Sequence, residues 1–210
     1  MSQVTLVHCT PDAERLIVKM ARVSNPANQD NSATAPKLLR YLISHKHWSP
    51  LEMASMCLSI DTERDIAAQI LRHRSFSFQE YSTRYATAKE PSIPALRRQD
   101  TANRQNSIDD LPADVSAQLR DRIRSVFGET SKLYNDMLEQ GVAKETARRI
   151  LPLSTATTLY MHGTLRSWLH YIQLRCGPET QLEHRLVAEQ CKDLFQTCFP
   201  LIAEAAFPIS

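Results

Sequence analysis

The sequence lacks several features that mark whole classes of protein. No apolar stretch reaches the roughly 18 residues that a membrane helix needs, and no basic region followed by an apolar run opens the chain, so we expect no membrane span and no signal peptide. Charge of one sign is not in excess either. The formal net charge is only +2, which argues against non-specific binding to nucleic acid.

Paired cysteines and clustered metal ligands are also missing. The five cysteines are odd in number and include no C-x-x-C pair, so we interpret them as reduced thiols of a cytoplasmic protein. His45 and His47 have no third clustered ligand, which favours a structural role and no metal site. No serine–histidine–aspartate pattern appears, so we expect no serine nucleophile.

What the chain does have is an ordinary globular composition. Its 210 residues suit one domain over 1–210, which can bury roughly 70% of its unfolded surface. The hydrophobic fraction is 42% and the charged fraction 23%, as in soluble domains. We expect an α+β fold of long helices packed on a small, largely antiparallel sheet.

Period and turn signals predict the boundaries of the elements. Strands are expected over 4–9, 53–60 and 154–163, and helices from about 12 to 23, 35–45, 113–140, 144–151, 165–174 and 179–198. A capped helix start is expected at 61–64, and loops over 24–36 and 86–112. Gly128 is a point at which the long helix can break, and Gly141 suits its end.

Residues 69–85 hold three arginines, a histidine, a glutamate and three serines. The period before Arg74 is helical, which places Gln69, Arg72 and His73 on one face beside the core face. This stretch is either the start of a binding site or a basic helix end that happens to precede an amphipathic strand.

The period after Arg74 alternates. Phe76 and Phe78 would point one way, and Glu80, Ser82 and Arg84 would lie together on one side of an extended chain. A helix end running into such a strand would present two groups of charged residues to a common space.

The spacing in this stretch resembles the signature of flavin-dependent thymidylate synthases. Arg72-His73-Arg74 is followed after seven residues by Ser82 and then by Arg84-Tyr85. The resemblance runs from about Ser49 to Glu183. Its upstream motif is H-x-S-P-x-E-H, matched by His47, Ser49, Pro50 and Glu52, with Met53 in place of the last histidine. Its later motifs are matched by Ala147, Arg148, Leu151 and Pro152, by Arg166, His170 and Arg175, and by Gln181 and Glu183, which follow Thr180 where the family has alanine.

This resemblance implies reductive methylation of dUMP to dTMP. The carbon would come from methylenetetrahydrofolate and the hydride from reduced FAD, with NADPH sustaining the cycle, in a homotetramer whose sites are shared between chains. The resemblance also implies the site residues. FAD would contact Ser49, Arg72, His73, Arg74, Glu80, Thr164 (where relatives carry asparagine), Arg166 and His170; the nucleotide would contact Gln69, Arg72, Glu80, Tyr81, Ser82, Arg84, Arg148 and Arg175.

Catalysis in this reading needs no protein nucleophile. Arg175 would activate the pyrimidine by stabilising negative charge on the ring. Cys176 is adjacent, but its neighbours offer no base partner, so we expect a packing residue there.

Two other functions stay open on the sequence alone. A single-stranded nucleic-acid-binding module could use Arg72, Arg74 and Arg84 on phosphates, with neighbouring aromatic rings stacking on bases. Its binding would depend steeply on salt, and it would carry no flavin. A structural flavoprotein or interaction subunit would keep the fold without turnover.

Overall fold

The computed structural model describes residues 2–207. The strands are β1 (Gln3–Cys9), β2 (Ser55–Glu63), β3 (Ser77–Glu80), β4 (Arg98–Gln99), β5 (Ser107–Ile108) and β6 (Ala156–Thr164). The helices are α1 (Ala13–Ala21), α2 (Ala35–Ser44), α3 (Arg64–Ile70), α4 (Ala113–Glu139), α5 (Lys144–Ala147), α6 (Leu165–Arg175), α7 (Leu182–Cys198) and α8 (Pro200–Ala206), with 3-10 turns at Pro26–Asn28, Ser49–Glu52 and Arg148–Ile150. The α+β class is therefore confirmed.

The contacts divide the described chain into two compact units. The sheet unit comprises Ser2–Ile60, His73–Gln79 and the residues from Tyr160 onward, and the helical unit comprises Asp61–Arg72 and Glu80–Leu159. β2 and β6 run through both units, because each strand continues past a unit boundary. The prediction of a single domain over 1–210 stays a prediction.

The sheet has the strand order β1-β2-β6-β3, and hydrogen bonds at the strand ends give the directions. Thr10 N donates to Ser55 O at 2.9 Å, and Leu165 N donates to Ala54 O at 3.0 Å. The ends of β1 and β6 thus lie beside the start of β2, so both strands run antiparallel to it. The predicted antiparallel arrangement is confirmed.

The core of the sheet unit lies between its strands and its helices α6 and α7. Along β6, Met161 and Gly163 are buried and alternate with more exposed neighbours, as a strand with one covered face requires. Trp168 and Tyr171 of α6 and Phe195 of α7 are fully buried. The indole Nε1 of Trp168 donates to Met56 O at 2.9 Å, so the largest core side chain has its polar atom satisfied.

In the helical unit, α4 is the longest element. It runs for 27 residues without a break at Gly128, and Gly141 follows its end with a φ of 81°, which favours glycine. Tyr134 is its buried residue, and its hydroxyl accepts a hydrogen bond from Ala88 N at 3.1 Å. The segment predicted as a plain loop over 86–112 contains the two-stranded β4–β5 ribbon, with Arg98 opposite Ile108.

Three local predictions in the central region were wrong. Residues 61–63 belong to β2, and α3 begins at Arg64 with no side-chain cap. The helix ends at Ile70, so Arg72 and His73 lie beyond it and share no helical face with Gln69. β3 ends at Glu80, and the chain then turns.

The helix predicted over 179–198 corresponds to α7, which begins three residues later at Leu182 and ends at Cys198 as predicted. It is not the last helix, because α8 follows it from Pro200. Pro200 supplies the first position of α8, where the missing N–H costs nothing. Within residues 2–207, no helix is long and apolar enough to cross a membrane.

Candidate active site

Arg175 occupies the last position of α6, one residue beyond the helix predicted over 165–174. Its Nε donates a hydrogen bond to Nε2 of His73 at 2.9 Å. Burial lowers the pKa of His73 to about 4, and the charges of Arg175 and His170 act in the same direction. The imidazole is therefore neutral at physiological pH, and its Nε2 serves as the acceptor.

A cavity of about 400 Å³ in the sheet unit contains two of the predicted flavin residues. Its lining consists of Trp48, Glu52, Ser75, Arg166, Ser167, His170 and Gln173. Arg166 forms an ion pair with Glu52. An indole wall together with guanidinium, hydroxyl, imidazole and amide groups suits an aromatic ring system that carries phosphate, and the volume lies in the range of small-molecule sites. These residues fit a flavin.

The other predicted flavin residues of the sheet unit lie outside this cavity. Ser49 is exposed and begins the 3-10 turn Ser49–Glu52. Arg74 is exposed, and its guanidinium makes no hydrogen bond or ion pair to any residue in the range 2–207. Thr164 is the N-cap of α6, where its Oγ1 accepts from Ser167 N at 3.3 Å. A hydroxyl side chain thus suits this position because it caps the first turn of α6.

In the helical unit, Glu80 is held by two neighbours. Thr157 Oγ1 donates to Glu80 Oε1 at 3.1 Å, and Arg64 Nη1 lies 3.8 Å from the same oxygen. The Glu80 side chain is 22% exposed, so its carboxylate is fixed and still accessible. Gln69 is half-buried, whereas Arg72 is exposed.

The turn after β3 gathers predicted nucleotide residues that are far apart in sequence. Ser82 Oγ accepts from Arg84 N at 3.4 Å, and Arg148 Nη1 donates to Thr83 Oγ1 at 3.4 Å. Arg84 also forms an ion pair with Glu145 at 3.0 Å. The guanidinium of Arg148 therefore reaches the turn, whereas that of Arg84, itself a turn residue, is engaged by Glu145 of α5. The extended arrangement predicted for Glu80, Ser82 and Arg84 was wrong beyond Glu80.

Tyr81 is turned toward its own loop. Its hydroxyl donates to Thr87 O at 2.7 Å, and Lys89 Nζ lies 5.4 Å from the centre of its ring. These contacts fix the ring at the start of the turn, where the Lys89 ammonium group lies over its face.

Several site residues were missed by reasoning from sequence. Glu52 pairs with Arg166, and Trp48 lines the cavity. Both lie within the H-x-S-P-x-E-H element, so that motif could have indicated them. Arg64, Tyr171 and His184 carried no signal, because their periodic positions are those of ordinary helix residues. Among the described residues, no group of three or more His, Cys, Asp or Glu side chains is arranged to hold a metal ion.

A second cavity of the sheet unit contains none of the predicted residues. It measures about 560 Å³ and includes Asp12, Glu14 and Asp30 in its lining. Although it is larger, its carboxylates are already engaged: Glu14 accepts from Ile202 N at 2.9 Å, and Asp30 pairs with Lys19 at 3.0 Å. The smaller cavity, which contains two predicted residues, is therefore the candidate site.

Comparison with known sequences supports the family suggested by the motifs. Residues 5–201 match the family described as "Thymidylate synthase complementing protein". The chain is 53% identical over 194 residues to a probable flavin-dependent thymidylate synthase of Paramecium bursaria Chlorella virus 1, covering 92% of this chain and 90% of the relative. It is 48% identical over 192 residues to the flavin-dependent thymidylate synthase of Synechocystis sp., covering 91% and 88%.

The fold agrees with solved structures of related enzymes. A UMP/dUMP methylase, PolB from Streptomyces cacaoi, crystallised with 5-Br dUMP, superposes with a TM-score of 0.86 at 27% identity, covering 98% of this chain and 94% of that one. The same enzyme with 5-Br UMP gives a TM-score of 0.84 at 28% identity, with coverage of 98% and 93%. The chain belongs to the thymidylate synthase complementing protein family, the flavin-dependent thymidylate synthases.

Proposed function

We propose that the protein is a cytoplasmic enzyme that methylates dUMP to dTMP, with methylenetetrahydrofolate as carbon donor, FAD as flavin and NADPH as reductant. Family membership over residues 5–201 carries the proposal. The binding of 5-Br dUMP by the PolB methylase supports a uracil nucleotide as substrate.

FAD would be held chiefly by the residues of the sheet-unit cavity. Arg166 would meet the phosphates once its pairing with Glu52 is exchanged or shared, and Trp48 would cover a ring. The remaining contacts are proposed for Ser49, Arg72, His73, Arg74, Glu80, Thr164 and His170. When bound, reduced FAD supplies the hydride.

The nucleotide phosphate would bind at the turn after β3. Arg148 reaches this turn with its guanidinium, and Arg84 would exchange its pairing with Glu145 for the phosphate. Both are planar, permanently charged donors, which match phosphate oxygens in pairs. Ser82 would add a hydroxyl. Gln69, Arg72, Glu80 and Tyr81 are proposed to complete the nucleotide contacts.

Activation of the pyrimidine is assigned to Arg175. The uracil C5 is a poor nucleophile until negative charge builds on the ring, and a fixed guanidinium at the ring edge stabilises that charge. A covalent route through Cys176 is disfavoured because burial raises the pKa of its thiol, which leaves it protonated and weakly nucleophilic at neutral pH.

The proposed active form is a homotetramer with sites shared between chains. Leu119, Val126 and Leu133 lie seven residues apart along α4 and are 38%, 56% and 52% exposed. An apolar stripe with this period suits packing against another helix, and a second copy of the chain would supply it.

The proposal is tested by purifying the full chain, adding FAD, and following the flavin absorption and then the conversion of dUMP. We expect a bound flavin and dTMP that appears only when methylenetetrahydrofolate and NADPH are both present. UMP serves as a parallel substrate, because the structural relative is a UMP/dUMP methylase. A colourless protein that binds single-stranded DNA tightly at low salt would favour the nucleic-acid module, and a flavoprotein that forms no dTMP would favour the structural role.

A further inference from the structure

We infer that His73 is a positioning residue for Arg175, and that Tyr171 and His184 hold His73 in that role. The inference rests on the proposed function, because it concerns how the guanidinium assigned to the pyrimidine is oriented. It begins from the hydrogen bond between Arg175 Nε and His73 Nε2, 2.9 Å long.

The backbone around His73 is locked by its own segment. Phe76 N donates to His73 O at 3.2 Å, which closes a tight turn. The Phe76 ring packs edge-on against Trp168, with centroids 4.9 Å apart, and it leaves no room at Gly163, where a Cβ would lie 2.5 Å from Phe76 Cδ1. Ser167 Oγ donates to Ser75 O at 3.2 Å. The segment that carries His73 is therefore anchored at Ser75 and at Phe76.

The imidazole ring is held by a second, buried pair. Tyr171 packs edge-on against His73, with centroids 4.9 Å apart and an interplanar angle of 80°. A hydrogen bond of 3.2 Å joins Tyr171 Oη to His184 Nε2, and both side chains are fully buried. His184 also meets the His73 ring at 6.4 Å. The ring that accepts from Arg175 is thus supported by side chains that cannot reach solvent.

This arrangement fixes the orientation of the Arg175 side chain. With Nε bonded to His73, the two terminal nitrogens of the guanidinium remain for a ligand, and their plane is set. The acceptor has to be neutral, since an imidazolium at this place would repel Arg175. The titratable and charged groups that face His73 are Arg175, His170, Tyr171 and His184.

A double-mutant cycle on the holoenzyme tests the coupling. His73→Phe removes the acceptor and retains the ring, and His73→Gln returns an acceptor close to the Nε2 position. Single-turnover rates are measured with pre-reduced FAD, methylenetetrahydrofolate and saturating dUMP, after the flavin spectrum shows full occupancy, so that the flavin contact also proposed for His73 does not enter the comparison. We expect His73→Phe to lose about tenfold to a hundredfold, the scale of a hydrogen bond to a charged group, and His73→Gln to recover most of it.

The same change in an Arg175→Ala protein decides whether His73 acts through the arginine. If it does, His73→Phe has little further effect there, because the residue to be positioned is gone. A full additional loss would show that His73 acts independently and would overturn the inference. His162→Phe is the matched control, since His162 lies on β6 with its ring against His8, 5.8 Å away, and should leave the rate unchanged.

A readout independent of turnover keeps the inference separate from the proposed function. In the wild-type protein, ¹⁵N NMR should show an unprotonated His73 Nε2 and an Arg175 Nε–H protected from exchange, with the arginine signal assigned by Arg175→Lys. A protonated Nε2, or an Nε–H that exchanges like those of exposed arginines, overturns the inference even if dTMP is formed. The expected spectrum from a protein that forms no dTMP would leave the hydrogen bond standing and reject the proposed function alone.

Discussion

At the scale of single residues, Arg175 carries the most weight in the proposed chemistry. In Arg175→Ala we expect the single-turnover rate with pre-reduced FAD and saturating dUMP to fall by roughly 10²–10³, the scale of losing one preorganised charge stabiliser. The flavin spectrum should change little, because Arg166 lines the cavity and Arg175 does not.

Lysine at this position is the informative comparison. Arg175→Lys keeps the charge but loses the planar fork and the Nε donor that His73 accepts, so it should rescue poorly. An Arg175→Ala protein that methylates at the normal rate would remove the activating role.

Cys176 should tolerate replacement. The thiol is half-buried and its pKa is raised by burial, so we expect Cys176→Ser to keep activity within about tenfold of the wild type, as a small packing residue would. Steady-state kinetics together with the flavin spectrum measure this. A loss of several orders of magnitude with flavin still bound would restore a covalent mechanism.

His184 should make stability depend on pH. Burial lowers its pKa to about 3, aided by the charges of Arg175 and His73, from an ordinary value of 6.5. Between these values the unfolded chain binds more protons than the folded one, so the free energy of unfolding should fall as the pH falls from 6.5 toward 3, by at most about 1.4 kcal/mol per pH unit for this group.

Urea unfolding at a series of pH values measures that slope. The His184→Phe protein should have a flatter slope in this window, and His162→Phe should keep that of the wild type. Equal slopes in all three proteins would show that His184 does not titrate with folding.

The residues that could be predicted from sequence are those with unusual local chemistry. Arg72-His73-Arg74 and Arg84 stand out because several arginines interleaved with aromatic residues are rare on an ordinary surface, whereas Arg175 was indicated by the family resemblance. Tyr171 and His184 could not be predicted: each occupies a helical position that any core residue could fill, and their hydrogen bond depends on how α6 and α7 pack.

At the scale of elements, two glycines make a matched pair. A Cβ at Gly163 of β6 would lie 2.5 Å from the Phe76 ring, whereas at Gly128 of α4 nothing lies within 4 Å. We expect Gly163→Ala to destabilise the fold by about 1–3 kcal/mol through overpacking, and Gly128→Ala to stabilise it by about 0.5–1 kcal/mol through helix propensity.

Chemical denaturation of the two variants beside the wild type measures whether the free energy of unfolding falls in Gly163→Ala and rises in Gly128→Ala. Because Phe76 closes the turn that carries His73, Gly163→Ala should also reduce turnover, and Gly128→Ala should not. A Gly163→Ala protein as stable as the wild type would mean that Phe76 can move away freely.

Element boundaries were predictable where one period dominated and unpredictable where two met. α4 follows from a clear periodicity, and β6 follows from its threonines and β-branched residues. Residues 61–63 resemble a helix cap locally, yet they belong to β2. The pairing with the chain just before β6 extends as far as Arg64, whose N donates to Thr155 O at 3.0 Å, so strand pairing outweighs local preference. That pairing could not be predicted from the sequence, because Thr155 lies far from Arg64 along the chain.

At the scale of the whole molecule, α4 raises the question of assembly. This helix of 27 residues has Tyr134 as its buried residue in the described chain, and its apolar stripe of Leu119, Val126 and Leu133 is 38–56% exposed. Helices of this length gain most of their stability from packing of an apolar face. The proposed homotetramer would cover the stripe with a second copy.

Leu133→Glu and Asn135→Glu test this as a pair, because they place the same charge on opposite sides of one exposed turn. Burying an unpaired carboxylate in a helix interface is costly, so we expect Leu133→Glu to weaken assembly by at least roughly tenfold in dissociation constant and Asn135→Glu to leave it unchanged. Light scattering over a dilution series, with turnover followed in the same samples, measures both. If sites are shared between chains, activity should decline as the mass declines. A stable Leu133→Glu monomer that still turned over at the normal rate would contradict the shared sites.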